Sequence, residues 1–222
     1  IDPYNEKFYF EPDVQLKKVL TQINSKLDST IDYLVLPETF LTETIYEGQE
    51  NNSFSINFLK DSLIKKYPNL TIITGANTIY SFKPNEEISA TAQQFNNSVE
   101  YYDSYNTGMQ INNSLDIAIY HKSKLVPGVE QMPFPALLKP LEKLAINLGG
   151  TMGSLGTQKE RTVFFNKQKT VGIAPVICYE SVYPDFVAEY VRNGANLIFI
   201  MTNDGWWENT PGHKQHLAYA QL

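Results

Sequence analysis

Three apolar runs in this chain each lead to a side chain able to hold charge or attack carbon. Tyr33-Leu34-Val35-Leu36 gives way to Pro37-Glu38, the run up to Tyr120 is followed by His121-Lys122, and Gly172-Ile173-Ala174-Pro175-Val176-Ile177 ends at Cys178. A carboxylate, an ammonium and a thiol are together the parts of an acyl-transfer site. A free thiol titrates near ~8.5, so a carboxylate base beside it is useful. An ammonium can hold the oxyanion of a tetrahedral intermediate, a role worth roughly 3 kcal/mol, and it favours the thiolate as well. In an open α/β sheet such groups gather beyond strand ends. Each residue also has an ordinary reading: Glu38 as a loop acid, Lys122 as a surface base beside Lys124, Cys178 as a small buried hydrophobe.

The elements that must position these residues alternate along the chain. Leu16, Leu20, Ile23 and Leu27 follow helical spacing, with Asp13 a plausible cap. The segments 31–36, 162–165, 170–177 and 197–201 read as strands, and 56–67 as a second amphipathic helix. Gly75 breaks the strand 70–74. A polar turn around Asn106-Thr107-Gly108 separates strands at 97–102 and 115–120. Pro184 suits the first position of a helix after Cys178, and a thiol at that junction faces unpaired N–H groups that favour its ionised form. A final helix begins near His213. The irregular segment 131–161 holds a short helix at 141–146 and mixes Met132, Phe134 and Leu137 with Gly149, Gly150 and Gly153. That mixture suits a lid that exposes apolar surface and still bends. The pattern is that of an α/β sandwich occupying 1–222 as one domain.

Composition narrows the class. The net charge of -6 and the isoelectric point near 5.1 argue against a nucleic-acid surface. With one cysteine, an internal disulfide framework and a multi-cysteine zinc site are both excluded. His121, His213 and His216 lack metal-ligand spacing, so no metal or other cofactor is expected; His213 and His216, three apart on the last helix, read as structural. The longest apolar stretches, such as 197–201, are too short to cross a bilayer. The chain reads as soluble, and its start at Ile1 suits a processed or excised segment.

Leu36-Pro37-Glu38-Thr39, Tyr120-His121-Lys122-Ser123-Lys124-Leu125 and Ile177-Cys178-Tyr179-Glu180 resemble, in order and spacing, the three signatures of the nitrilase superfamily. The flanking Leu125-Val126-Pro127-Gly128-Val129-Glu130, Thr202-Asn203-Asp204-Gly205-Trp206-Trp207 and Gln215-His216-Leu217 resemble the apolipoprotein N-acyltransferases within it. The resemblance implies a nitrilase-like α-β-β-α sandwich, here truncated at its C-terminal end and without the family's membrane helices. It implies a Glu38-Lys122-Cys178 triad on the periplasmic face of a bacterial inner membrane. The implied partners are a phospholipid acyl donor and a diacylglyceryl-modified apolipoprotein acceptor. Glu130 would position Lys122 or polarise the amine, and Glu180 would orient the site or cap the helix at Pro184. Tyr179 joins these as a supporting residue. Trp206 and Trp207 would line the acyl path, anchor at the lipid boundary, or sit in the core. A soluble amidase or nitrilase with the same triad is the alternative.

Overall fold

The computed structural model describes residues 7, 9–127, 130 and 155–221. The first helix, α1 (Pro12–Asn24), turns Leu16, Val19, Leu20 and Ile23 onto the core as their spacing requires. Asp13 is not its cap. Pro12, with φ already set for a helix, starts α1 one residue earlier, and Asp13 lies in the first turn paired with Lys17 at 2.9 Å. A second helix, α2 (Phe54–Leu59), is capped by the Ser53 hydroxyl and runs on through wider turns at Lys60–Ile64.

Both helices cover one face of a six-stranded sheet. Its strands are β1 (Tyr33–Val35), β2 (Leu41–Tyr46), β3 (Thr71–Ser81), β4 (Gln93–Gln94), β5 (Tyr101–Ile111) and β6 (Ala118–His121). The antiparallel β3–β5 pair is its spine. β1 and β2 run parallel to β3 along different stretches, and β4 and β6 pair with β5. A smaller sheet orders β7 (Phe164–Phe165), β8 (Gly172–Ile177) and β9 (Leu197–Met201), with β8 and β9 parallel. The crossover between them is α3 (Pro184–Arg192), with Pro184 in its first turn as expected.

Two cores stack in this arrangement. One lies between the helices and the large sheet and includes Leu16, Leu36, Ile56, Leu63, Ile72 and Met109. The other joins Ile73 and Tyr120 of the large sheet to Phe164, Ile173, Val176, Ile177 and Met201 of the small one, with Phe186 and Tyr190 of α3. At Gly108 a Cβ would stand 3.0 Å from the Met201 methyl, so the bare backbone there lets the sheets close. The layers are helix, sheet, sheet, helix. The last helix, α4 (Gly212–Tyr219), packs near Cys178.

Several local expectations fail for tertiary reasons. Gly75 does not end its strand, because β3 continues to Ser81. Asn106-Thr107-Gly108 is no turn but the middle of β5, and the actual reversal spans 112–117. β2 was not foreseen. The proposed helix at 141–146, and the proposed lid as far as 154, lie outside the described residues.

Candidate active site

Glu38 is placed by a close approach of two backbones. The Leu36 N–H donates to Ile73 O at 2.8 Å and the Gly75 N–H to Pro37 O at 3.1 Å. A Cβ on Gly75 would fall 2.3 Å from Thr39 N and 2.7 Å from Glu38 Cα. No side chain but hydrogen fits, and the turn locks with Thr39 at φ 44°. Buried Lys7 adds a clamp, donating to the Thr39 hydroxyl and to Glu38 O at 3.4 Å. Burial lowers the Lys7 ammonium to about 8, with the Glu38 charge opposing.

Lys122 leaves the end of β6 and reaches two carboxylates at once. Its Nζ donates to Glu38 Oε1 and Glu130 Oε1, both at 2.8 Å. Asn106 Nδ2 joins them from β5, donating to the same two oxygens at 2.8 and 3.0 Å. The Val126 N–H donates to Glu130 Oε2 at 2.8 Å. Burial works against charge on Lys122, yet Glu38 and then Glu130 outweigh it and hold the ammonium above its usual range. Glu130 thus shares the Lys122 ammonium with Glu38.

Cys178 follows β8 at a sharp corner, with φ 47° in a region L-residues seldom occupy. A short turn, Cys178–Val182, separates it from α3. Its half-buried thiol lies within the fields of Glu38, Lys122 and Glu130. Burial pushes the thiol up to about 12, the Glu38 charge adds to that, and Lys122 and a hydrogen bond with Thr202 act the other way. This corrects the expectation of a thiol poised as thiolate. The turn is short, and desolvation beside a carboxylate outweighs both its N–H groups and the lysine. Burial and the Glu38 charge thus favour the S–H form at neutral pH.

Glu180 does not cap α3; Tyr183 occupies that position. Its buried carboxylate instead ties the two sheets together. Oε1 accepts from Tyr120 Oη and from the Ser123 N–H, each at 2.6 Å, and Oε2 accepts from the Ile177 N–H at 2.8 Å. One side chain thus braces the strand ends before Lys122 and before Cys178. Burial raises its pKa, while those donors oppose the rise. Tyr179 is half-buried, edge-on to Tyr183 with centroids 5.2 Å apart. Trp206 and Trp207, 45% and 48% exposed, are surface residues and not core.

Sequence reasoning missed Asn106, Lys7, Thr202 and His216 as members of this neighbourhood. Asn106 looked like a turn residue. Only the register of β5, which sets Asn106 opposite Asn77, turns it toward Glu38. His216 belonged to the Gln215-His216-Leu217 resemblance, but its spacing to His213 gave it only a structural reading.

The layered architecture and the Glu38-Lys122-Cys178 arrangement define a nitrilase-like fold. The model of the carbon-nitrogen hydrolase family matches residues 4–222, and the chain belongs to that family. It is 27% identical over its whole length to an apolipoprotein N-acyltransferase of Chlorobaculum tepidum, of which it spans 41%. It is 37% identical to the Rickettsia typhi apolipoprotein N-acyltransferase over 102 residues, 46% of this chain and 19% of that one. Among solved structures, a mutant of a Nesterenkonia amidase from the nitrilase superfamily superposes with a TM-score of 0.50 at 12% identity, covering 86% of this chain and 60% of that one. That likeness concerns the fold. Among the described residues, no helix is long and apolar enough to cross a membrane.

Proposed function

We propose that this chain is the catalytic region of an acyltransferase that moves a fatty acyl group from a phospholipid, through a thioester on Cys178, to the α-amine of a lipid-modified N-terminal cysteine. The observation that supports this reading is the buried Glu38–Lys122 pair at 2.8 Å, with the half-buried Cys178 thiol inside the field of both. The names of the relatives support N-acylation of an apolipoprotein; a phospholipid donor and a site on the periplasmic face of a bacterial inner membrane complete the proposal.

The protonated thiol sets the order of events. Glu38 takes the S–H proton as sulfur attacks the ester carbonyl, so the charge is never stranded on sulfur in a desolvated site. Lys122 holds the oxyanion that forms. The carbon–oxygen bond breaks, the lysophospholipid leaves with the proton from Glu38, and the thioester remains. The acceptor amine then attacks the thioester, Glu38 takes its proton, the carbon–sulfur bond breaks, and the proton returns to sulfur. Glu130 and Asn106 fix Lys122 and Glu38 throughout, and Glu180 keeps the two strand ends in register.

Mass spectrometry of the chain after incubation with phospholipid tests this directly. The expected result is one acyl group on Cys178, released by a peptide bearing a diacylglyceryl cysteine with a free amine. An adduct released by water and untouched by the amine assigns a hydrolase instead. No adduct under conditions where the thiol reacts with an alkylating agent overturns the reading.

A further inference from the structure

We propose that Asp204 and His216 form a positioning dyad that holds the backbone of Cys178 in its strained conformation and so aims the thiol at Glu38 and Lys122; this rests on the assignment of Cys178 as nucleophile. His216 Nε2 lies 3.1 Å from Cys178 O and 3.0 Å from Ser181 Oγ, and its Nδ1 lies 3.0 Å from Asp204 Oδ1. The Ser181 hydroxyl donates to the same Cys178 carbonyl at 2.8 Å. The imidazole is largely enclosed, its side chain 10% exposed.

The hydrogen-bond roles follow from what each atom can do. Asp204 Oδ1 only accepts, so Nδ1 donates to it, while Nε2 meets both Cys178 O and the Ser181 hydroxyl that itself donates to Cys178 O. The bond to the Asp204 carboxylate is charge-assisted, a kind about twice as strong as a neutral one. Asp204 also accepts from the Thr202 hydroxyl at 2.7 Å, and Thr202 in turn hydrogen-bonds the Cys178 thiol. The one carboxylate therefore reaches Cys178 by two routes, through His216 to its carbonyl and through Thr202 to its sulfur. Cys178 has φ 47°, a conformation that persists only where surrounding contacts over-determine it. Ser181 and His216, both held against its carbonyl, supply such contacts.

Ser181, His216 and Asp204 also follow one another like a serine hydrolase triad, but the Ser181 hydroxyl is buried and donates to Cys178 O rather than facing open space. The dyad serves the neighbouring thiol.

Cys178 is the only cysteine, so its reaction with iodoacetamide, followed by intact mass, reports on this thiol alone. Replacing His216 by Leu, which fills space without an N–H, should slow alkylation about tenfold or more, since small misplacements of a reacting group carry penalties up to about a hundredfold. His216→Gln, whose amide can still donate to the carbonyl, should recover to within about threefold of the parent. Asp204→Asn, which keeps the shape should the Leu variant not fold, should fall between them. All readings are compared at matched thermal melting. Alkylation of His216→Leu at or above the parent rate overturns the dyad, as does a Gln variant as slow as the Leu variant. Labelling of Ser181 by a fluorophosphonate overturns it as well. If the parent chain forms no thioester with phospholipid and the Leu and Gln variants still differ in alkylation, the acyltransferase reading has failed and the dyad stands.

Discussion

The two sheets hold their halves of the site by different means. On the large sheet, Glu38 and Lys122 are joined to each other, to Glu130 and to Asn106 by side-chain hydrogen bonds of 2.8 to 3.0 Å, beneath a core sealed by two helices. On the small sheet, β8 is buried along its length, yet its neighbour β9 leaves Ile198 47% exposed. Cys178 projects from that thinner layer, supported by Glu180 through the preceding Ile177 N–H, by Ser181 and His216 at its carbonyl, and by Thr202 at its thiol. Glu38 and Lys122 are thus fixed by charge in a dense network. Cys178 is held at a strained corner by a few long-range struts. Under the acyltransferase reading that division suits the chemistry, because only the sulfur must move toward substrate.

The largest expected effect falls on the thiol side. Cys178→Ala removes the reacting atom and should abolish the acyl adduct, while Cys178→Ser should retain only a trace, since an alkoxide is far harder to form than a thiolate. Intact mass after lipid exposure reads both. An adduct of parent-like yield on the Ala variant would falsify the nucleophile assignment. The pH profile sharpens the same point. With the thiol held up at about 12 by burial and by Glu38, the folded chain keeps its S–H proton through the range where an unfolded thiol, near ~8.5, loses it. Alkylation of the folded chain should keep climbing with pH from 7 to 10. In guanidinium it should level off near pH 9. A plateau below pH 9 in the folded chain would show a thiol already ionised.

On the large sheet, Lys122→Ala should slow adduct formation by about a hundred- to a thousandfold, the usual consequence of losing an oxyanion donor. It should also destabilise the chain by about 3 kcal/mol, because Glu38 and Glu130 are left buried without their shared cation. Urea unfolding measures the second effect independently of catalysis. If Lys122→Ala unfolds at the parent midpoint, the network does not have the rigidity assigned to it here.

Glu38, Lys122 and Cys178 stood out in the sequence because each sits where an apolar run stops, and strand ends are local features. What surrounded them was not legible, because its logic is tertiary. Gly75 looks like a strand breaker in isolation; it is glycine because the Glu38 turn lies against it. Asn106 sits in a run of turn-forming residues, yet its amide is turned inward to two carboxylates. Glu180 is spaced to cap a helix and instead reaches back across two sheets. The thiol's acidity failed for the same reason. A helix start is visible in a sequence, whereas the burial and the Glu38 charge that raise the thiol are made by tertiary packing.

A smaller effect should come from the brace between the sheets. Glu180→Gln keeps the size but gives up charge and replaces one acceptor oxygen by a donor, which then faces either the Tyr120 and Ser123 donors or the Ile177 N–H. A buried mismatch of that kind costs about 1–3 kcal/mol. The melting temperature should drop accordingly, and adduct formation should fall with it, since Cys178 follows Ile177 directly. A variant that melts lower but acylates at the parent rate would confine Glu180 to stability and remove it from the alignment of the two halves.

The smallest effect on the fold, and the most selective on function, should come from Trp206 and Trp207. Both rings are about half exposed in the turn Asp204–Trp207, between the end of β9 and α4. Trp207 rests on Gly212, where a Cβ would meet its ring at 2.2 Å, so Gly212→Ala should disturb the turn more than removing the ring does. Each ring is already about half exposed, so Trp206→Ala should cost about 1 kcal/mol of unfolding free energy, the middle of the range for single substitutions. Aromatic rings favour the boundary between water and lipid, where their apolar bodies and polar edges are both served. Under the acyltransferase reading, the double Ala variant should therefore react with a water-soluble ester at the parent rate while losing acylation from phospholipid vesicles several-fold. Co-sedimentation with vesicles should weaken in parallel. Equal losses on both donors would place the two rings in the acyl pocket itself, next to the thiol, and would take away the surface on which the nucleophile's layer is supposed to meet lipid.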